Sequence, residues 1–376
     1  MTADDGAMPG VSTASTAEGG VHPDIVHVDK SVTLPPQLRT STALEIAEKK
    51  RFWRDRFAAK RIRNIVAPMV DQSELAFRMM LRAHGADLTY TPMIHAQLFV
   101  SDTTYRKNIL SLYAEDRPVI VQFCANNAEI FRDACRLVEG FADGVDINLG
   151  CPQNVAKRGH YGSFLQDEVD LICSMISAVR DHCSLPISAK IRIREDREQT
   201  KAYARRLVDA GATLLTVHGR TREMKGVDTG LADWSRIRDV VECIDGEVPV
   251  IANGNIQMSG DIDRCITATG VAAVMSAEGI LYNPYLFQGT HPVSWQAAIE
   301  YIMQRSLQRT LLEYEDLRQT ISTVHNVGEF MKAVQELSVR VEAIRSTPEA
   351  QEAEARALEI FGEVASVIDS TLLLID

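Results

Sequence analysis

From about residue 63 to 287 the chain alternates between short apolar, β-branched runs and longer stretches whose apolar residues fall three and four apart. The runs are RNIVAPM (63–69), DLTYTPM (87–93), PVIVQF (118–123), GVDINLG (144–150), PISAKI (186–191), TLLTVHG (213–219), PVIANG (249–254) and VAAVMSA (271–277). Continuous apolar runs of this length are what strands covered on both faces require. Between them, Ile130, Ala134, Leu137, Val138 and Phe141 share a helical face. So do Ala204, Leu207 and Val208, with Gly211 as a helix stop. Eight strands, each followed by a helix, close a parallel barrel with the helices outside. The pattern therefore predicts an α/β fold, a (β/α)8 TIM barrel, with a doubly wound open sheet as the competing arrangement.

The pattern fails at both ends. Residues 1–45 are rich in Gly, Ser, Thr, Ala and Pro without periodicity and read as a disordered lead. After Pro284 the strand signal stops, and Leu, Glu, Gln, Arg and Ala dominate. The expected organisation is a lead (1–45), a catalytic barrel (46–287) and a C-terminal all-helical domain (288–376), broken near Gly328 and Thr347–Pro348.

With 45% apolar residues in 376, the chain can bury a sizeable core. The net charge of −11 is carried mostly by the two ends, whereas Lys49–Arg63 holds eight basic residues against one acid. Local stripes of this kind, rather than the overall sign, govern phosphate contacts, so a nucleic-acid partner is not excluded. The basic stretch reads either as a solvated helix or as an RNA contact. Seven cysteines without a CxxC pair indicate neither a disulfide framework nor a zinc site, and no metal is expected. No apolar run is long enough for a membrane span. The N-terminal stretch is acidic and lacks arginine, which argues against a transit peptide. The expected home is the cytoplasm, with the nucleus as a second compartment, and the expected state is a monomer.

Polar residues mark one end of the predicted strands. Pro68–Met69, Gln122, Asn148, Lys190, His218, Asn253 and Glu278 all fall at or just past strand C-termini, and in a closed barrel those ends share one active-site rim. ANGNI (252–256) and SAEGILYNP (276–284) carry small residues where backbone N–H groups can approach a phosphate. Lys190 could stabilise negative charge on a bound ring system, although strand-end lysines also simply snorkel. Gln122 offers an amide donor and acceptor to a heterocycle, and His218 a donor. Cys151 follows Asn148 in NLGCPQ. Free thiols titrate at about 8.5, so a cysteine here suits proton donation to carbon. Asn148 could hold a substrate carbonyl. Two basic loops leave the same rim, one with Lys157 and Arg158, the other with Arg220 and Arg222, as a phosphodiester chain would need.

These stretches taken together, APMVDQSELAFR (67–78), TPMIHAQLF (91–99), VQFCAN (121–126), NLGCPQ with KRGHYGSFLQD, AKIR, TVHGRTRE, ANGNI and MSAEG, resemble the tRNA-dihydrouridine synthases over roughly residues 52–287. KRGHYGSFLQD and MSAEG look like the eukaryotic branch acting on uridines 16 and 17. The resemblance implies an FMN-binding barrel, NADPH or NADH as reductant, and tRNA as substrate and partner. It implies that Pro68, Met69, Val70, Gln122, Lys190, His218, Asn253, Gly254, Asn255, Ala277 and Glu278 line the flavin site, and that Cys151 is the catalytic acid. Glu278 stands where many relatives have Arg, which shifts the expected phosphate contacts to backbone N–H groups. Two rival readings remain, a flavin barrel acting on a free pyrimidine and a non-catalytic tRNA-binding protein.

Overall fold

The computed structural model describes residues 25–28, 32–34, 38–60 and 62–289, which all belong to one compact unit. The expected helical domain lies outside the described residues apart from Gln288 and Gly289, as does much of the expected lead. Within that lead, Ile25–His27 forms a short strand antiparallel to Ser111–Tyr113.

Eight parallel strands form the centre: β1 (Asn64–Val66), β2 (Thr89–Tyr90), β3 (Val119–Cys124), β4 (Gly144–Leu149), β5 (Ile187–Arg192), β6 (Leu214–His218), β7 (Val250–Asn253) and β8 (Ala273–Ser276). Neighbours in sequence are neighbours in space from β2 to β8, and β8 returns to β1 through Val274↔Asn64 to Ser276↔Val66. The ring closes where Ile65 bridges Leu88, with Val66 N–H donating to Leu88 O at 2.9 Å. All eight predicted runs are strands, and the closed ring excludes the open-sheet alternative.

Helices follow the strands. Among them are α2 (Leu75–Ala83), α5 (Ala128–Arg136), α7 (Val169–His182), α8 (Arg197–Ala210), α9 (Trp234–Ile244) and α10 (Ser259–Thr269). Their ends follow local chemistry. Asp196 caps α8 by accepting Gln199 N–H, and Gly211 ends it at φ +124°, where an added Cβ would come within 2.6 Å of Arg180. Shorter helices complete the layer: α3 (Ala96–Ser101), α4 (Thr103–Ile109), α6 (Asn154–Gly159) and α11 (Glu278–Tyr282).

The base of the barrel is sealed by a helix that precedes the first strand, α1 (Ala43–Lys60). Trp53 is fully buried and clusters with Phe57, Ile65, Leu88, Tyr90, Ile120, Leu214, Ile251 and Ala273. Gly144, at the start of β4, makes room for it, since a Cβ there would sit 3.0 Å from the Trp53 ring. The basic residues of this segment serve the same packing. Lys49 donates to the carbonyls of Arg180 and Cys183, Lys50 pairs with Glu247, and Arg56 with Asp143. Lys49, Lys50 and Arg56 are therefore committed to the base, opposite the polar rim. A cavity lined by Lys49, Lys50, Arg180, Ile187 and Thr213 lies at this same end.

Candidate functional site

Along a strand, alternate side chains face the same way, so residues two apart share the barrel interior. Ile120 and Leu214 face the apolar base cluster. Two positions on, Gln122 and Thr216 are fully buried polar groups, joined at the same level by Asp146 and Ser188. The next level holds Asn148, Lys190, His218 and Asn253. The interior thus changes from apolar at the base to polar at the C-terminal mouth.

Lys190 Nζ donates to Asn253 Oδ1 at 2.9 Å, and Asn253 Nδ2 donates to Met275 O at 3.0 Å. Burial, reinforced by Arg192, pushes the Lys190 ammonium down to about 8, with Asp146 and Cys151 opposing. His218 is driven well below the ordinary imidazole range by burial and by Lys190, Arg192 and Arg220, so it is neutral. Its Nε2 lies 3.1 Å from Arg220 Nη1. A guanidinium only donates, so Nε2 accepts and the imidazole proton sits on Nδ1.

Arg220, expected from sequence on a basic rim loop, turns towards the β7 turn: Nη2 donates to Asn255 Oδ1 at 2.9 Å and Nε to Gly230 O at 3.0 Å. Asn255 holds this orientation because its own amide bridges Ala232 N–H and O. Asn255 and Gly254 both have positive φ, +60° and +105°. A side chain at Gly254 would meet Ala232 Cβ at 2.6 Å and His218 at 3.0 Å. The turn after β7 therefore needs glycine for space as well as conformation. Glu278 begins α11 and is close enough to Arg220 to oppose the fall in its pKa. Ala277, like Met69, packs on the mouth side of the apolar cluster inside the barrel. Past β1, Pro68 and Met69 are half-buried, whereas Val70 is 55% exposed.

Cys151 is fixed at both of its backbone groups. Asn148 Oδ1 accepts its N–H at 2.9 Å, and its carbonyl accepts from Ser163 N at 3.1 Å and Ser163 Oγ at 2.9 Å. Gly162, at φ +67°, lets the chain approach, since a Cβ there would lie 2.8 Å from Cys151 O. The thiol residue is half-buried and packs on the cluster of Cys124, Ala156 and Tyr161, as Met93 and Phe164 also do. It interacts electrostatically with both Lys190 and Arg192.

The second basic loop clamps the first. Arg192 donates to Gly150 O at 2.8 Å and to Thr221 O at 2.7 Å, and Lys225 donates to Pro152 O at 2.8 Å. Arg222 lies over the Phe164 ring and pairs with Asp167 at 3.6 Å and Glu223 at 3.1 Å. Lys157 and Arg158, in the last turn of α6, stand exposed on the rim. Gln122 is fully buried, its Nε2 donating to Asp146 and its Oε1 accepting from Asn148, each at 2.8 Å.

Sequence reasoning passed over Asp146, Ser188 and Arg192. The alternation in DINL and SAKIR, polar at every second place, was the available signal. Tyr161 carried none, because its packing with Cys151 comes from a returning loop. Among the described residues no group of three or more His, Cys, Asp or Glu could hold a metal ion, and no helix is long and apolar enough to cross a membrane.

The geometry defines a closed (β/α)8 barrel with a thiol, a half-buried ammonium and a glycine-built turn around one mouth. Residues 65–366 match the family model described as dihydrouridine synthase. The chain is 53% identical over 242 residues to a Mus musculus protein named tRNA-dihydrouridine(16/17) synthase [NAD(P)(+)]-like, covering 64% of this chain and 50% of that one. It is 52% identical over 226 residues to the tRNA-dihydrouridine(16/17) synthase of Saccharomyces cerevisiae, covering 59% and 53%. A human tRNA-dihydrouridine(20a/20b) synthase-like protein is 37% identical over 245 residues, covering 64% and 76%. The chain belongs to the dihydrouridine synthase family. It spans about half the length of the 16/17-type relatives it matches.

Proposed function

We propose that this protein reduces uridine to 5,6-dihydrouridine in the D-loop of tRNA, at positions 16 and 17, with FMN as cofactor and NADPH as reductant. The observation that carries the reading is Cys151, pinned through its N–H and C=O at the barrel mouth within electrostatic reach of Lys190. The identity to 16/17-type relatives supports the choice of uridines.

The residues fit a flavin. Lys190 is a half-buried cation whose hydrogen-bond partner is a neutral amide, so an anionic ring edge or phosphate would gain a full charge interaction. Gly254 keeps the turn beside His218 free of a side chain. Asn253, Gly254, Asn255, Ala277 and Glu278 would border the phosphate end, with Arg220 as the nearby guanidinium. Pro68, Met69 and Val70 would lie along the ring. Hydride delivery to uridine C6 after reduction by NADPH is the chemistry that FMN supplies when bound.

The chain's own residues do the rest. Cys151 gives its Sγ proton to C5, and Asn148, held by Gln122, orients the base. The wall of Met93, Tyr161 and Phe164 limits water around the thiol. A base must leave its stack to reach the site, at a cost of a few kcal/mol. Lys157 and Arg158 would meet the tRNA backbone, and a substrate of this class requires such contacts.

The test combines full-length protein, NADPH and a tRNA transcript, with dihydrouridine mapped by reverse transcription or mass spectrometry. Reduction confined to positions 16 and 17, lost when those uridines are cytidines, is the expected result. Turnover of free uracil or orotate without tRNA would replace the reading with a free-pyrimidine enzyme. A colourless protein that binds tRNA would leave only a binding role.

A further inference from the structure

Asp146 is fully buried inside the barrel, below the residues that face the mouth. Its carboxylate accepts from Ser188 Oγ at 2.5 Å and from Gln122 Nε2 at 2.8 Å. Gln122 Oε1 accepts from Asn148 Nδ2 at 2.8 Å, and Asn148 Oδ1 accepts the N–H groups of Gly150 and Cys151 at 3.2 and 2.9 Å. These four side chains sit at inward positions on β3, β4 and β5.

We propose that Asp146 is a positioning residue for the thiol: its carboxylate sets which way the Gln122 and Asn148 amides face, and so holds the Cys151 turn at the mouth. The argument is one of hydrogen-bond polarity. An amide side chain can present either end, but a carboxylate only accepts. Gln122 must turn Nε2 towards it, which leaves Oε1 facing Asn148. Asn148 must then present Nδ2, which leaves Oδ1 for the two backbone N–H groups. Reversing any amide would set two donors or two acceptors against each other in a buried site, at a cost of about 1–3 kcal/mol. Ser188 keeps the carboxylate from rotating. The relay runs from a buried acceptor to the main chain of the reactive residue, so Asp146 acts without touching substrate.

The inference gives the proposed acid its orientation and therefore rests on that reading of Cys151, but its test needs no turnover. Full-length protein is treated with iodoacetamide, and alkylation is resolved cysteine by cysteine through peptide mass spectrometry. Asp146→Ala should change the Cys151 rate by about fivefold or more, the equivalent of one lost hydrogen bond. Asp146→Asn should stay within about twofold, because its amide oxygen can still face Gln122. Its Nδ2 would then donate to Ser188 Oγ, which turns its proton to Val145 O, 3.3 Å away. Buried Cys135 and Cys265 report on core loosening and should remain slow in every variant. Should Asp146→Ala fail to fold, Gln122→Met cuts the relay one link higher and should show the same selective change at Cys151. An unchanged Cys151 rate overturns the proposal, as does Asp146→Asn shifting as far as Asp146→Ala. So does Cys135 or Cys265 opening in step with Cys151. Loss of dihydrouridine formation with intact alkylation selectivity would count against the chemistry assigned to Cys151, not against the relay.

Discussion

Lys190 Nζ lies 2.9 Å from Asn253 Oδ1, a half-buried cation held by the oxygen of a neutral amide. The arrangement costs the folded protein something. Below pH 8 the burial penalty on the ammonium is fully present, and it is relieved as pH rises from about 8 towards 10.5, where the unfolded chain still holds the proton. Lys190→Met should therefore keep or raise the stability of flavin-free protein at pH 7 while weakening FMN retention by about tenfold or more, as expected for a lost charge-assisted contact. Denaturant titration and flavin fluorescence read the two effects separately. Normal flavin retention in the variant would remove Lys190 from the cofactor site.

Cys151→Ala should slow dihydrouridine formation by about 10²–10⁴-fold, the usual worth of a general acid, with flavin content unchanged. Single-turnover assays on tRNA check this. A variant as fast as wild type would take the thiol out of the mechanism.

The two basic loops should behave differently from each other. Lys157 and Arg158 are exposed, so alanine at both should lower the slope of log K against log salt for tRNA binding by about 1.4–1.8, the sum expected for two phosphate contacts. Arg220 is committed to Asn255 and Gly230, so Arg220→Ala should leave that slope alone and instead loosen the β7 turn and its hold on FMN. Filter binding across a salt series, with flavin fluorescence alongside, separates the outcomes. An unaltered slope for the first pair would place tRNA elsewhere.

Asp146 makes a prediction about pH. Burial raises its carboxyl from 3.8 to about 6, against the lowering effects of Ser188, Gln122 and Lys190. Between those two values the folded protein holds a proton that the unfolded chain has lost, so this group's contribution falls as pH rises, by about 3 kcal/mol in total. Asp146→Asn does not titrate. Its stability relative to wild type should therefore improve by that order between pH 4 and pH 6.5, measured by urea unfolding. A constant difference across the window would mean that the carboxyl titrates normally.

At the base, Trp53→Ala should cost about 3–5 kcal/mol, as large aromatic deletions in cores do. The residual space against Gly144 cannot be filled by a side chain already there. A chemical-denaturation midpoint within error of wild type would show that α1 is not needed to close the barrel.

The barrel was legible because each strand is a continuous apolar run and each break is a change of period. The mouth was legible in part for the same reason. Polar residues such as Lys190, Asn253 and His218 stand out at the ends of apolar runs, and only barrel closure was needed to bring them together. Direction was not legible. Arg220 and Arg222 read alike in TVHGRTRE, yet one turns to Asn255 and the other lies over Phe164, because their partners come from other strands. The basic segment 49–63 was legible only as a choice between a solvated helix and an RNA contact, because the partners of Lys49, Lys50 and Arg56 (the Arg180 carbonyl, Glu247 and Asp143) are distant in sequence.

The helix that closes the base is synthesised before any strand of the barrel, yet its tryptophan clusters with residues from the seventh and eighth. On a ribosome the stopper would emerge some two hundred residues ahead of the last stave. Its aromatic face must wait, exposed or shielded by other cellular factors, until the final turn of the cylinder appears. Such late, long-range closure is slow and leaves the nascent chain open to aggregation. The step most vulnerable to a weakened Trp53 is therefore biogenesis.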